Sequence, residues 1–152
     1  MRIPKYHLEA ERSLLAFKFI SQGPRGRIAK MVKYIQTNVK DLYNLSFGDC
    51  DPATGEIDDR VISNNGDKEM VLSTVVASIY SFTDQHPEAS VFATGSTKVR
   101  TRLYRIGIAK YLTEIKKDFF VFGFRSKKWE EFEIGIEYEG FLIKRKKLNF
   151  KT

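Results

Sequence analysis

Cysteine is nearly absent from the chain, with Cys50 the single one in 152 residues. One thiol excludes an internal disulfide and a cysteine-rich zinc site, and it suits a reducing cytoplasm. Histidine is almost as scarce, with two in the whole chain, His7 and His86. Neither has a Ser, a Cys or a second His beside it in a catalytic pattern, so both read as surface histidines. Long apolar runs are missing too: the longest, Phe119–Phe124, is far too short to span a bilayer. No signal peptide is expected at Met1-Arg2-Ile3-Pro4-Lys5, because charge interrupts every early apolar stretch. Internal repeats and low-complexity segments are also lacking. What remains is a cytoplasmic, non-membrane protein.

Hydrophobic residues make up 42% of the chain and charged residues 30%, the balance of a globular protein. The length suits one domain over residues 1–152, able to bury its own core. Lys and Arg number 26 against 19 Asp and Glu, a net charge of +7. Such an excess favours anionic partners, nucleic acid first among them. It is uneven, at +2 over residues 1–66 and +5 over residues 67–152. Between Asp49 and Asp59 the sign reverses, with five carboxylates and no Lys or Arg.

Phe17 and Phe19 favour a strand over Ser13–Ser21, and Gln22-Gly23-Pro24-Arg25-Gly26 is a turn. Arg27–Gln36 fits a helical face or a returning strand. The short connection decides for the strand. Leu42–Phe47 alternates, Asp51–Gly55 is a loop, and Arg60–Ser63 reads as a short strand. The spacing of Leu72, Val75, Val76, Ile79 and Phe82 predicts a helix over Asp67–Gln85, stopped by Pro87. Ser90–Thr94 follows as a buried strand, and Gly95-Ser96-Thr97 opens a second helix. Phe119–Phe124 is expected as a strand buried on both faces. Alternation from Phe132 to Tyr138 predicts a strand with one face in water, an edge that a protein partner could pair with. Gly140 marks a turn, Phe141–Ile143 a last strand, and residues 144–152 a basic tail. The order predicts an α+β fold: a mostly antiparallel sheet with two helices packed on one face.

The most informative segment is Gly95–Arg105. A strand, a glycine turn and a helix start leave backbone N–H groups pointing outward, where a phosphate can bind. Ser96 or Thr97 would cap the helix and touch that phosphate. Lys98, Arg102 and Arg105 stand four and three residues apart and share a face, while Arg100 lies on another side. Cations this early in a helix oppose its macrodipole, each at a cost of roughly 0.3–1 kcal/mol. Some negative group must offset them. One source is a bound phosphate of nucleic acid, RNA or DNA, or of a smaller ligand; the other is internal, Asp49, Asp51, Asp58 or Asp59 lying against Arg100 or Arg102. Tyr34, Tyr43, Tyr104 and Trp129 lie near basic residues and could stack on bases.

Other chemistries fit less well. A calcium loop starting at Asp49 would need Gly at its sixth position and Glu at its twelfth, where Thr54 and Arg60 stand. Gly-Ser before a helix resembles the nucleotidyltransferases, but the strand Phe119–Phe122 has Asp118 alone where that family needs an acidic pair. No metal site and no cofactor is expected. The alternative to a binding module is an enzyme on a phosphate-bearing substrate, with Asp49, Asp58 or Asp59 as base or metal ligand beside the same cations.

Three segments, Asn44-Leu45-Ser46-Phe47-Gly48-Asp49, Asp58 through Asp67, and Gly95-Ser96-Thr97 with Arg100-Thr101-Arg102-Leu103-Tyr104, carry a resemblance. With them the chain resembles a domain-of-unknown-function family of small bacterial proteins of about this length. The resemblance implies one domain over nearly the whole chain, and it implies no activity.

Overall fold

The computed structural model describes residues 4–58, 63–95 and 97–147. Strand β1 (Glu9–Ala10) leads into β2 (Ala16–Gly23), β3 (Gly26–Gln36), β4 (Leu42–Cys50) and the short β5 (Ile57–Asp58). Helix α1 (Lys68–Gln85) follows, then β6 (Ser90–Ala93), α2 (Lys98–Lys110) and α3 (Leu112–Asp118). Strands β7 (Phe119–Arg125), β8 (Lys128–Glu131) and β9 (Gly140–Arg145) complete one nine-stranded sheet, ordered β1-β2-β3-β4-β6-β9-β7-β8 with β5 beside β4. The β4–β6 pair is parallel, and the other described pairs are antiparallel. The mixed fold with a mostly antiparallel sheet is therefore as expected. The described helices number three, because Tyr111 leaves helical geometry at φ −106°, ψ 17° and re-aims Leu112 and Ile115 into the core. None of them is long and apolar enough to cross a membrane.

Residues Arg27–Gln36 form a strand, held to β2 in register from Ala16↔Lys33 to Gly23↔Gly26. The tight connection needs both glycines. Gly26 has φ +88°, a left-handed conformation that L side chains resist, and a Cβ on Gly23 would lie 1.8 Å from the carbonyl oxygen of Asn65. Asn65 is 2% exposed and pins the turn from the far side. Its Oδ1 accepts from Arg25 N at 2.7 Å, and its Nδ2 donates to Gly26 O at 2.9 Å and Ser21 Oγ at 3.2 Å. The predicted strand over Arg60–Ser63 falls mostly outside the described residues.

Helix α1 spans the predicted residues, but Asp67 makes no side-chain cap. Its carboxylate instead accepts from Tyr6 Oη at 2.6 Å and Ser21 Oγ at 2.5 Å, tying the N-terminal segment and β2 to the helix start. Valines 71, 75 and 76, Ile79 and Phe82 are buried, and so are Ser73, Thr74, Ser78 and Thr83. These hydroxyls return to helix carbonyls: Thr74 to Met70 O at 2.6 Å, Ser78 to Val75 O at 2.6 Å and Thr83 to Ile79 O at 2.8 Å. Burial is thus possible without orphaned polar groups. Ser78 Oγ also lies 2.7 Å from Tyr34 Oη, whose ring stacks on Phe82 at 4.1 Å. Burial raises the Tyr34 pKa well above the ordinary phenol value.

Sheet register aligns Phe17, Val32 and Phe47 across β2–β4, and Val91, Ile143 and Val121 across β6, β9 and β7. All six belong to one buried cluster with Val75, Val76 and Ile79 of α1 and Tyr104 and Ile108 of α2. A charge sits on the same face of the sheet, in the neighbouring row with Phe19. Lys30 is 1% exposed, and its Nζ is 2.6 Å from Asp49 Oδ1 and 3.1 Å from Ser63 O. Asp49 in turn accepts from Ser63 N at 3.1 Å.

Three local expectations change. Phe119–Phe124 is a strand, but Phe120 is 50% exposed, so one of its faces is open. Residues 132–139 are no strand: the chain turns at Gly135, φ +90°, and brings Phe132 and Tyr138 back together with ring centroids 5.4 Å apart. Both rings meet Phe141, while Ile134 near the tip is 65% exposed, so the alternation marked the two arms of a reversing loop and not one buried face. The proposed pairing edge at Phe132–Tyr138 is absent with it. Gly140, Lys144 and Arg145 belong to β9, and Arg145 Nη1 reaches Asp84 at 2.7 Å, so the tail does not begin at residue 144.

Replacing Lys30 by Ala leaves a charged Asp49 without its partner, and about 3–5 kcal/mol of stability should be lost. The double replacement Lys30→Met/Asp49→Leu should lose less than the two single changes added together. Urea unfolding of the four proteins measures this, and strictly additive losses would show that the two charges are not coupled.

Candidate functional site

The start of α2 is built by close approach of backbone to backbone. A Cβ on Gly95 would lie 2.4 Å from Arg100 Cβ and 2.5 Å from Thr101 N, so only glycine fits where β6 hands over to the helix. Thr97 is the N-cap, and its Oγ1 accepts from Arg100 N at 3.2 Å. Thr101 Oγ1 accepts from Gly95 N at 3.0 Å and donates to Thr97 O at 3.2 Å, which closes the turn. The first turn of α2 carries no acidic residue.

Around this turn the expected cations separate into different roles. Lys98 and Arg102 are exposed. Among the described residues neither makes an ion pair. Arg105 is half-buried, and its Nη1 points at Ile136 O at 3.5 Å, so it braces the 132–139 loop. Arg100 faces inward. It is 7% exposed, and its Nη2 donates to Asp58 O at 3.3 Å beside Gly48. The helical spacing already set Arg100 on a side of its own, and packing makes that side the interior. Ser96 and Asp59 lie outside the described residues.

The acidic residues meet elsewhere. A cavity of about 450 Å³ is lined by Arg27, Asp49, Cys50, Asp51 and Asp58, with Ile28, Ala29 and Pro52. Arg100 and Arg102 do not line it, so the carboxylates and the helix-start cations do not converge on one open pocket. Asp49 is held by Lys30 and Ser63 N. Asp51 Oδ1 accepts from Ala53 N at 2.8 Å within its own loop. No group of three or more His, Cys, Asp or Glu among the described residues could hold a metal ion.

Aromatics sort just as sharply. Tyr34, Tyr43 and Tyr104 are 1%, 9% and 9% exposed and belong to the core, so none can stack on a base. Trp129 is 45% exposed and remains available. Phe120, at 50%, joins it, although the apolar run around it read as wholly buried. The signal that separates them is parity: Phe120, Phe122 and Phe124 alternate with the core residues Phe119 and Val121.

The model of one protein family, described as a family of unknown function (DUF6934), matches residues 2–146. No curated protein and no solved structure matches the chain.

Arg100 is held inside the fold, where its guanidinium donates to Asp58 O. Arg100→Ala should lower stability by about 1–3 kcal/mol, since it removes a buried charged donor from Asp58 O. Arg102→Ala should stay within about 0.5 kcal/mol of the parent. Urea midpoints of the two variants test the assignment, and equal midpoints would refute it.

Proposed function

We propose that this chain, which belongs to the DUF6934 family of unknown function, is a non-enzymatic module that binds a polyanion, nucleic acid, at the start of α2. One observation carries the reading: Lys98 and Arg102 stand exposed in the first turns of a helix whose first turn holds no carboxylate. Cations there oppose the helix dipole, and phosphate oxygens offset both. The net charge of +7 draws such a partner to the protein over a longer range. Thr97 keeps the first turn in shape, while Arg100 and Arg105 hold α2 against Asp58 and the 132–139 loop. Helices α1 and α2 cover the same side of the sheet in this reading, which leaves the start of α2 at its rim. The lone Cys50 fits a reducing, cytoplasmic setting in a bacterial cell.

The test is fluorescence anisotropy of a labelled RNA strand across a salt series, with the parent and Lys98→Ala/Arg102→Ala. Loss of two phosphate contacts should flatten the slope of log K against log salt by about 1.4. An unchanged slope, or no binding by the parent at low salt, removes the proposal.

A further inference from the structure

Strand parity gives the sheet a second face that the core does not use. Register places Phe92, Leu142 and Phe122 in one row across β6, β9 and β7, on the side opposite Val91, Ile143 and Val121. Phe124 and Trp129 form the neighbouring cross-strand pair, and Phe120 lies beyond, opposite Lys144. The result is a group of five aromatic rings and a leucine on strands. Phe92, Phe122, Phe124 and Leu142 are half-buried by one another, while Phe120 and Trp129 at the ends are 50% and 45% exposed. The indole is held by its neighbours, edge-on to Phe92 at 5.9 Å and tilted on Phe124 at 5.0 Å. The close approach across β9 depends on Gly140, where a Cβ would meet the Phe92 ring at 3.1 Å.

Positive charge on the same face gathers beside the rings, where Lys144 lies opposite Phe120 and Lys146 Nζ stands 5.3 Å from the Phe120 ring centroid. By the same register Lys18, Arg27, Lys33 and Lys144 point to this side, against the carboxylates Glu9 and Glu131 on the two edge strands. Lys18 and Lys33 hold Glu11 and Glu56 from the flanking loops, in pairs whose four side chains are at least 41% exposed. Exposed pairs of this kind add little stability, so giving them up costs little. Lys144 donates to a carbonyl, Glu88 O at 3.3 Å. Such a face is complementary to a polyanion that also carries flat apolar surfaces. A duplex keeps its base faces stacked inside. A single strand offers them.

We propose that this uncovered sheet face binds single-stranded nucleic acid, with bases stacked on Trp129 and Phe120 and phosphates directed to Lys144, Lys33 and Lys18. The proposal deepens the nucleic-acid reading by naming the strandedness, and it uses a surface separate from Lys98 and Arg102. Rings fixed in advance by neighbours give up little freedom on stacking, so the platform is preorganised.

Trp129 is the single tryptophan of the chain, so its emission reports on this face alone. The full chain is titrated at low salt with oligouridylate and oligothymidylate of about 12 nucleotides, with a DNA duplex, and with heparin as a polyanion without bases. Single strands should quench Trp129 saturably, and heparin should bind without quenching. By anisotropy, Trp129→Ala and Phe120→Ala should each weaken single-strand binding about 5-fold or more, and Trp129→Phe should restore most of it. Lys98→Ala/Arg102→Ala should keep the quenching. Single-strand binding with unmoved Trp129 emission overturns this proposal and leaves the helix-start reading intact. Quenching with loss of the helix-start salt effect does the reverse. No binding of any nucleic acid overturns both. A dimer by light scattering that Trp129→Ala dissociates would make the face a self-interface and overturn it as well.

Discussion

A lysine and an aspartate closed into the sheet, Lys30 and Asp49 at 2.6 Å, set the terms for everything around them. Ionised groups removed from water are costly unless each finds a partner, and the cost here is met by geometry on three segments at once. The lysine comes from β3, the aspartate from β4, and the Ser63 backbone approaches both, donating its N–H to Asp49 and accepting from Lys30. The strand register and the path of the chain into α1 are therefore coupled. The same coupling already engages Asp49 with Lys30 and the Ser63 backbone. What looked in sequence like an acidic loop in search of a cation is already partly satisfied from within.

The neighbouring polar contacts extend this bracing. Asn65 fastens the β2–β3 turn, and Asp67 gathers Tyr6 and Ser21 at the head of α1. Arg100 donates to Asp58 O from the opposite side, and Gly95 permits the approach that puts it there. Polar side chains thus hold the rim of the sheet together, and the apolar cluster fills the space between helices and strands. Lys98 and Arg102 are left outward by the helical turn that sends Arg100 inward. Exposed cations on a rigidly held helix end are suited to a partner with fixed phosphate spacing. The aromatic sheet face ends at the same rim, because β6, the start of β9 and the β7–β8 turn close there, joined by the Thr94 hydroxyl donating to Glu139 O at 2.9 Å.

Much of the architecture was legible from residues close together in sequence. Apolar spacing marked α1 to within a residue of its ends, and Gly23-Pro24-Arg25-Gly26 marked the turn between β2 and β3. Where a local pattern has two physical causes, reading failed. Alternation from Phe132 to Tyr138 suits a strand or a loop folding back at Gly135, and a run of phenylalanines suits a strand with two buried faces or one. The candidate site was legible in part for the same reason. Spacing separated Arg100 from Lys98, Arg102 and Arg105, yet the Asp58 carbonyl that Arg100 reaches lies 42 residues away and the Ile136 carbonyl that Arg105 reaches lies 31 away.

By itself the sequence determined most of the elements and their order, the charge excess and the dense cluster of cations at one helix start, because propensity, capping and periodicity act over a few neighbouring residues. Tertiary structure alone decided which of those cations meet water, which carboxylates are already paired, and which face of the sheet stays open. Those outcomes depend on contacts between residues far apart in the chain, where burial and desolvation, rather than local preference, set the free energy.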